Sequence, residues 1–244
     1  MSSSVRYLIP CTILFALLGI ADIVCNVFLM PASNSLPLLA SIGHFVKPAL
    51  MPFLAIWAYL AWQNKAQSAL WLLLAALIFS ALGDTLLMLA QQDSKNLFLL
   101  GLSSFLVAHI FYIILHSRLT RPIPASKWYI TRHKWVLVLA LIYGAILLYV
   151  LSPFLLNTGL LLPVGVYASV LLTMALSALN RKNLVSETSF KWVFVGALSF
   201  VVSDSLIAIN RFVNPFYMAG FWIMITYLFA QYSIVRGVLM ADKA

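Results

Sequence analysis

The amino-acid sequence predicts an all-α, polytopic membrane protein: a bundle of eight transmembrane helices with both termini cytoplasmic. Three observations predict it. Of 244 residues, 64% are hydrophobic and only 9% are charged, whereas a soluble domain carries about 25% charge. The apolar residues fall into eight runs, near 7–30, 36–62, 68–90, 97–117, 134–152, 155–179, 190–212 and 216–239. Each is close to the ~20 residues that cross a bilayer as helix. Twelve basic residues lie at the two ends and in the 63–67, 118–134 and 180–191 segments, against only Lys95 and Arg211 in the opposite loops and Lys47 inside a run. The positive-inside rule then puts both termini in the cytoplasm, which requires an even number of spans.

The loops are short, and no ten-residue alternation suggests a barrel. Residues 1–244 are therefore expected to form a single eight-helix transmembrane domain, with all chemistry built from the helices. The net charge of +9 is spread as a topology signal, with contact to anionic lipid, rather than as a nucleic-acid surface. The expected location is integral and multi-pass, in the plasma (inner) membrane if the cell is bacterial.

Span 1 holds Cys11, Asp22 and Cys25. Its cysteines lie ~21 Å apart along a helix and cannot pair with each other. The span is too long for a signal-peptide core and carries an acid, so it is expected to be retained. Span 2 holds Lys47, and Pro48 and Pro52 are expected to interrupt and bend the helix just after it. Span 3 reads Ser-Ala-Leu-Gly-Asp-Thr-Leu-Leu at 80–87. On span 4, Gly101, Phe105, Ala108, Tyr112 and His116 follow a helical 3–4 spacing with His109 beside them. Span 5 contributes Tyr143-Gly144-Ala145, and span 6 runs from Pro163 to Tyr167 and beyond. Span 7 reads Phe-Val-Val-Ser-Asp-Ser-Leu-Ile at 200–207, with Gly196, Ser199 and Ser203 forming a small face. Gly220, Met224, Tyr227 and Gln231 share a face of span 8.

Spans 3 and 7 align on Asp84 and Asp204, 120 residues and four spans apart. Span 1 echoes them weakly around Asp22, and span 5 has lost the acid. A parallel four-helix repeat would produce this pattern.

Three of the six acidic residues, Asp22, Asp84 and Asp204, lie inside apolar spans. A carboxylate there costs about 2.5–3.5 kcal/mol on insertion scales, so such residues face a bundle interior or a wet cavity and mark function by default. All three sit about 6–8 residues from the outer ends of their spans; Lys47, His109, Tyr167 and Tyr227 lie about 11–12 residues from their outer starts. At ~1.5 Å rise per residue, these groups fall ~9–18 Å below the outer surface. One shared polar pocket explains this more economically than separate local hydrogen bonds.

Phosphate loops, Gly-rich dinucleotide turns, Cys-x-x-Cys pairs and His-Glu-x-x-His helices are absent from the sequence. His109 and His116 are two helical turns, ~10 Å, apart, too far to bind one metal, and no spacing supports His44 as a further ligand. No metal or other cofactor is expected. No nucleophile elbow surrounds Ser203. The remaining chemistry is a pair of carboxylates, which unequal surroundings can split into a general acid and a general base. Proton-coupled transporters also use membrane aspartates.

The chain resembles the YhhN-type membrane proteins, which include the lysoplasmalogenases. The resemblance rests on Lys47-Pro48, Phe79 to Asp84, Gly101-Leu102, Ala108 to Tyr112, Pro163 to Tyr167, Ser203-Asp204-Ser205 through Asn210-Arg211-Phe212, and Tyr227 to Gln231. It implies hydrolysis of the vinyl ether of a lysophospholipid, a lysoplasmalogen, to a fatty aldehyde and glycerophosphocholine or glycerophosphoethanolamine. Asp84 and Asp204 would be the acid and base. Lys47 would meet one aspartate or the phosphate, and Arg211 the phosphate. His109, Tyr112, Tyr167, Tyr227 and Gln231 would orient water and glycerol, with Asp22 an additional acid; a plain interhelical hydrogen bond is the alternative for each helper. The runner-up is a proton- or cation-coupled transporter or a lipid-binding membrane protein using the same aspartates. An intramembrane aspartyl protease ranks last, because residues 81–84 read Ala-Leu-Gly-Asp rather than Gly-x-Gly-Asp.

Overall fold

The computed structural model describes residues 3–25, 37–62, 67–90, 94–120 and 128–241, with side chains from Ile9 in the first stretch and from Phe45 in the second. The side chain of His44 lies outside the described residues. Within them the chain is helical and contains no strand. In order come α1 (Ser3–Ile23), α2 (Pro37–Ala61), α3 (Gln67–Leu89), α4 (Lys95–Arg118), the single turn α5 (Tyr129–Arg132), α6 (Lys134–Leu155), α7 (Leu161–Leu179), α8 (Glu187–Ala208) and α9 (Ala219–Leu239). Six helices are long and apolar enough to cross a membrane: α3, α4, α6, α7, α8 and α9. The described apolar stretches of α1 and α2 are shorter, Ile9–Ile23 and Phe45–Ala61.

Apolar side chains cover both faces of these helices because there are two apolar surroundings. Inward, Met51, Leu54, Trp57, Leu77, Leu115, Met174, Phe200 and Ile234 pack into one core. Outward, α6 presents Leu139, Leu141, Ile146 and Tyr149 to the surroundings. In water that would be a costly patch; in a bilayer lipid covers it, and helices associate through close packing and polar contacts instead.

Glycine sets the closest approaches. A Cβ on Gly196 of α8 would stand 2.9 Å from the Ala230 carbonyl oxygen of α9. One on Gly83 of α3 would stand 2.5 Å from the Phe105 ring of α4. The α3–α4 and α8–α9 pairs therefore meet along small residues, and Asp84 and Asp204 each lie next to such a seam.

Two boundaries differ from the sequence expectation. The turn between spans 5 and 6, expected near residues 152–155, lies later. α6 continues through Pro153 and is extended by a 3-10 turn, Leu156–Thr158; Gly159, with φ of 70°, then reverses the chain. Likewise α2 runs as one helix through Pro48 and Pro52 rather than being interrupted there. Membrane helices tolerate proline because neighbouring groups re-satisfy the freed carbonyls. At its far end α8 loosens into a π-helical turn, Ile209–Val213, carrying Arg211 and Phe212. Cys11 and Cys25 are both free thiols.

Candidate functional site

Asp84 lies at the α3–α4 seam and is 5% exposed. The Tyr227 hydroxyl of α9 donates to its Oδ2 at 2.7 Å. Tyr227 itself is one link in a polar chain between helices. The Tyr112 hydroxyl of α4 donates to Gln231 Oε1 at 2.6 Å, and Gln231 Nε2 donates to Ser80 Oγ at 3.0 Å and toward the Tyr227 hydroxyl at 3.4 Å. Tyr112, Gln231 and Tyr227 each donate within this chain, which offsets much of the cost of burying them. Its acceptor end is the Asp84 carboxylate. Lys47 of α2 and Asp22 of α1 both lie within electrostatic reach of Asp84, one attracting its charge and the other repelling it.

Asp204, on α8, accepts a short hydrogen bond from the Tyr167 hydroxyl of α7. It is half-buried and lines a small apolar cavity of about 50 Å³ with Leu87, Phe98, Leu102, Phe105 and Tyr167. Asp84 lies within electrostatic reach of Asp204.

A run of edge-to-face aromatic contacts links the tyrosines that hold the two carboxyls. Phe200 packs edge-on to Tyr227 at 5.5 Å and to His109 at 4.7 Å, and His109 packs edge-on to Tyr167 at 5.6 Å. His109 is fully buried. Its Nδ1 lies 2.6 Å from the Phe105 carbonyl oxygen, one turn earlier on α4, so this nitrogen carries the proton. Nε2 is then a bare acceptor with no partner among the described residues.

The structure thus brings together Asp22, Lys47, Asp84, Tyr112, Tyr227 and Gln231 on one side, and Asp204, Tyr167 and His109 on the other. Arg211 is elsewhere: it lies two turns beyond Asp204, its guanidinium 4.2 Å above the Phe98 ring. His116 is apart from this group, with Nδ1 2.8 Å from Ser177 Oγ. Sequence reasoning missed Ser80 as a partner of Gln231. The available signal was its place one helical turn before Asp84 on the same face. It also missed Phe200, which reads in sequence as one apolar residue among many.

The YhhN family profile matches residues 42–238. The lysoplasmalogenase of Mycobacterium bovis is 34% identical over 141 residues, 58% of this chain and 50% of that protein. Lysoplasmalogenase TMEM86B of Mus musculus is 28% identical over 188 residues, 77% of this chain and 72% of that protein; the Rattus norvegicus protein of the same name is 30% identical over 193 residues, 79% and 70%. The match thus spans about half the length of the mycobacterial relative. No solved structure matches the chain.

Proposed function

The chain belongs to the YhhN family, and on that premise we propose that it is a membrane-embedded hydrolase that cleaves the vinyl ether of lysoplasmalogens. The observation that carries this reading is the pair of intramembrane carboxyls, each held by a tyrosine of a neighbouring helix, with Asp204 lining an apolar cavity. One carboxyl delivers its proton to the alkenyl carbon distal to the ether oxygen. The carbon beside that oxygen becomes an oxocarbenium ion. The other carboxylate takes a proton from water as the water adds there. The hemiacetal then collapses: its carbon–oxygen bond to the glycerol breaks, its hydroxyl oxygen becomes the aldehyde oxygen, and the hydroxyl proton passes to the glycerol oxygen. One water is consumed, and a fatty aldehyde and a glycerophosphodiester leave. Asp204, which lines the cavity, is the carboxyl nearer the alkenyl group; Asp84, in the field of Lys47, is its partner. His109 Nε2 is an acceptor available to the attacking water. No step calls for a metal or an organic cofactor, because proton delivery alone activates an electron-rich alkene.

The architecture proposed with this function is eight spans, α1 and α2 completing the six long apolar helices, with both termini cytoplasmic, in the plasma (inner) membrane if the cell is bacterial. The parallel repeat is part of it. Lys47 and Tyr167 are 120 residues apart, as are Asp84 and Asp204. Each pairs a residue of one helix with the aspartate of the next, Lys47 with Asp84 and Tyr167 with Asp204.

The test is aldehyde release from a lysoplasmalogen by protein purified in detergent. The parent is expected to be active, and folded Asp84→Asn and Asp204→Asn variants to lose at least ~100-fold, the usual scale of acid–base catalysis. Activity surviving either change removes that aspartate from the mechanism. A folded parent that releases no aldehyde, but drives a substrate-dependent proton current, would make it a transporter.

A further inference from the structure

Beside the apolar cavity, at the end of the bundle where α8 gives way to α9, lies an open recess of about 580 Å³. Lys95, Thr158, Asn210 and Arg211 line it, and Phe98 and Phe212 line both spaces. Lys95 opens α4, and its ammonium donates to the Thr158 carbonyl oxygen in the α6–α7 connection. Arg211 projects from the π-helical turn over Phe98. The described lining contains no acidic side chain.

The placement of these two cations is more than a topology signal. Sequence puts only Lys95 and Arg211 at this end of the bundle, against twelve basic residues at the other. They come from different connections, 116 positions apart in the numbering, yet line the same recess. Among the described residues each keeps donors to spare: an ammonium has three and one is used, while no hydrogen bond occupies the Arg211 guanidinium over the Phe98 ring.

The link to the carboxyl is the end of α8. Asp204, Ile207 and Ala208 share an i, i+3, i+4 face of α8, and Arg211 follows three residues past the helix end, in the π-helical turn. The first three line the apolar cavity and the fourth lines the recess. Seven positions separate Asp204 from Arg211, at most ~10 Å of helical rise, a span on the scale of a glycerophosphate unit. Phe98 and Phe212 meet edge-to-face at 5.5 Å and form the threshold between polar and apolar spaces.

We propose that Lys95 and Arg211 together seat the phosphate of a single-chain phospholipid whose chain–glycerol linkage lies at Asp204. This rests on the reading of the Asp204 cavity given above. Arginine offers phosphate a planar, two-pronged set of donors and lysine a point charge. The hydrophobic chain lies on the apolar side of the Phe98–Phe212 threshold, and the water-soluble glycerophosphodiester departs through the recess.

Equilibrium binding to the purified protein in detergent tests this without turnover, so a silent aldehyde assay does not touch it. The probes are lysophosphatidylcholine, whose ester is inert to vinyl ether chemistry, and a monoacylglycerol of the same chain. The parent is expected to bind the phospholipid at least ~10-fold more tightly than the neutral lipid. A Lys95→Gln/Arg211→Gln double variant with an unchanged melting temperature is expected to bind both alike, whereas Asp204→Asn keeps the preference. Equal affinities in the parent, or a preference that survives in the folded double variant, overturns the seat. Should the double variant not fold, Arg211→Lys, which keeps the charge and loses the two-pronged geometry, is expected to show a reduced preference; an undiminished one overturns the proposal. Inorganic phosphate is expected to displace the lipid only in large excess. Displacement at equal concentration would assign the seat to free phosphate and overturn the lipid reading.

Discussion

A membrane aspartate persists only where something compensates it, and here the compensation is a tyrosine hydroxyl on each carboxyl. Tyr227 donates to Asp84 and Tyr167 to Asp204. Interhelical hydrogen bonds in membrane proteins average only about 0.6 kcal/mol, so these bonds matter more for position than for stability. Tyr167→Phe keeps the ring against His109 and removes only the donor. It is expected to leave the melting temperature nearly unchanged and lower kcat about 10-fold, the loss expected for a hydrogen bond of ~1.4 kcal/mol to a reacting carboxyl. A melting temperature that falls along with activity would make Tyr167 a structural residue. The two carboxyls also predict a bell-shaped pH–rate profile. Activity falls toward acid as the base carboxylate takes up a proton, and toward alkali as the acid loses its own. A single-limbed profile measured on aldehyde release would remove one carboxyl from the chemistry.

The helices are held by what is missing between them as much as by what touches. A Cβ on Gly196 would meet backbone atoms of α9, the Ala230 oxygen at 2.9 Å and the Ile234 nitrogen at 3.0 Å, and backbone cannot swing aside. Gly196→Ala is expected to cost about 1–3 kcal/mol, the range for overpacking, read as a lower melting temperature in detergent. Gly165 of α7 is the control: its Cβ would have only Leu148 methyls nearby, at 4.0 Å. Gly165→Ala is expected to be neutral or to stabilise by up to about 1 kcal/mol through helix propensity. Equal effects at the two positions would mean that the α8–α9 seam is not tight. From sequence, Gly196 was legible as part of a small face, but not as the tighter of the two sites. Contact distance depends on which helix lies opposite, and a helix's own residues do not encode its neighbour.

Across the whole molecule, the proposed topology follows from charge, and helix order sets the site. Tyr217 is 87% exposed before α9, and the Glu187 side chain is 77% exposed at the start of α8. In a background with Cys11 and Cys25 replaced, Tyr217→Cys is expected to react with a membrane-impermeant maleimide in intact cells. Glu187→Cys is expected to react only after permeabilisation. The reverse pattern would invert the proposed orientation, and labelling of both from one side would contradict a crossing by α8.

By itself the sequence determined the class and the ingredients. Long apolar runs with few charges admit only a membrane helix bundle, since helices satisfy their backbone groups internally. A buried aspartate announces itself in such a chain because its burial costs so much there. Depth, counted along the helices, placed Asp22, Lys47, Asp84, His109, Tyr167, Asp204 and Tyr227 in one band, ~9–18 Å below the outer surface. Only the tertiary structure decided which tyrosine bonds which aspartate, that Ser80 anchors Gln231, and that Asp204 rather than Asp84 lines the described cavity. It also decided that Lys95 and Arg211 line one recess. The reason is that height along a helix is a property of local sequence, whereas the rotation of each helix and the choice of its neighbour come from packing among residues far apart in the chain.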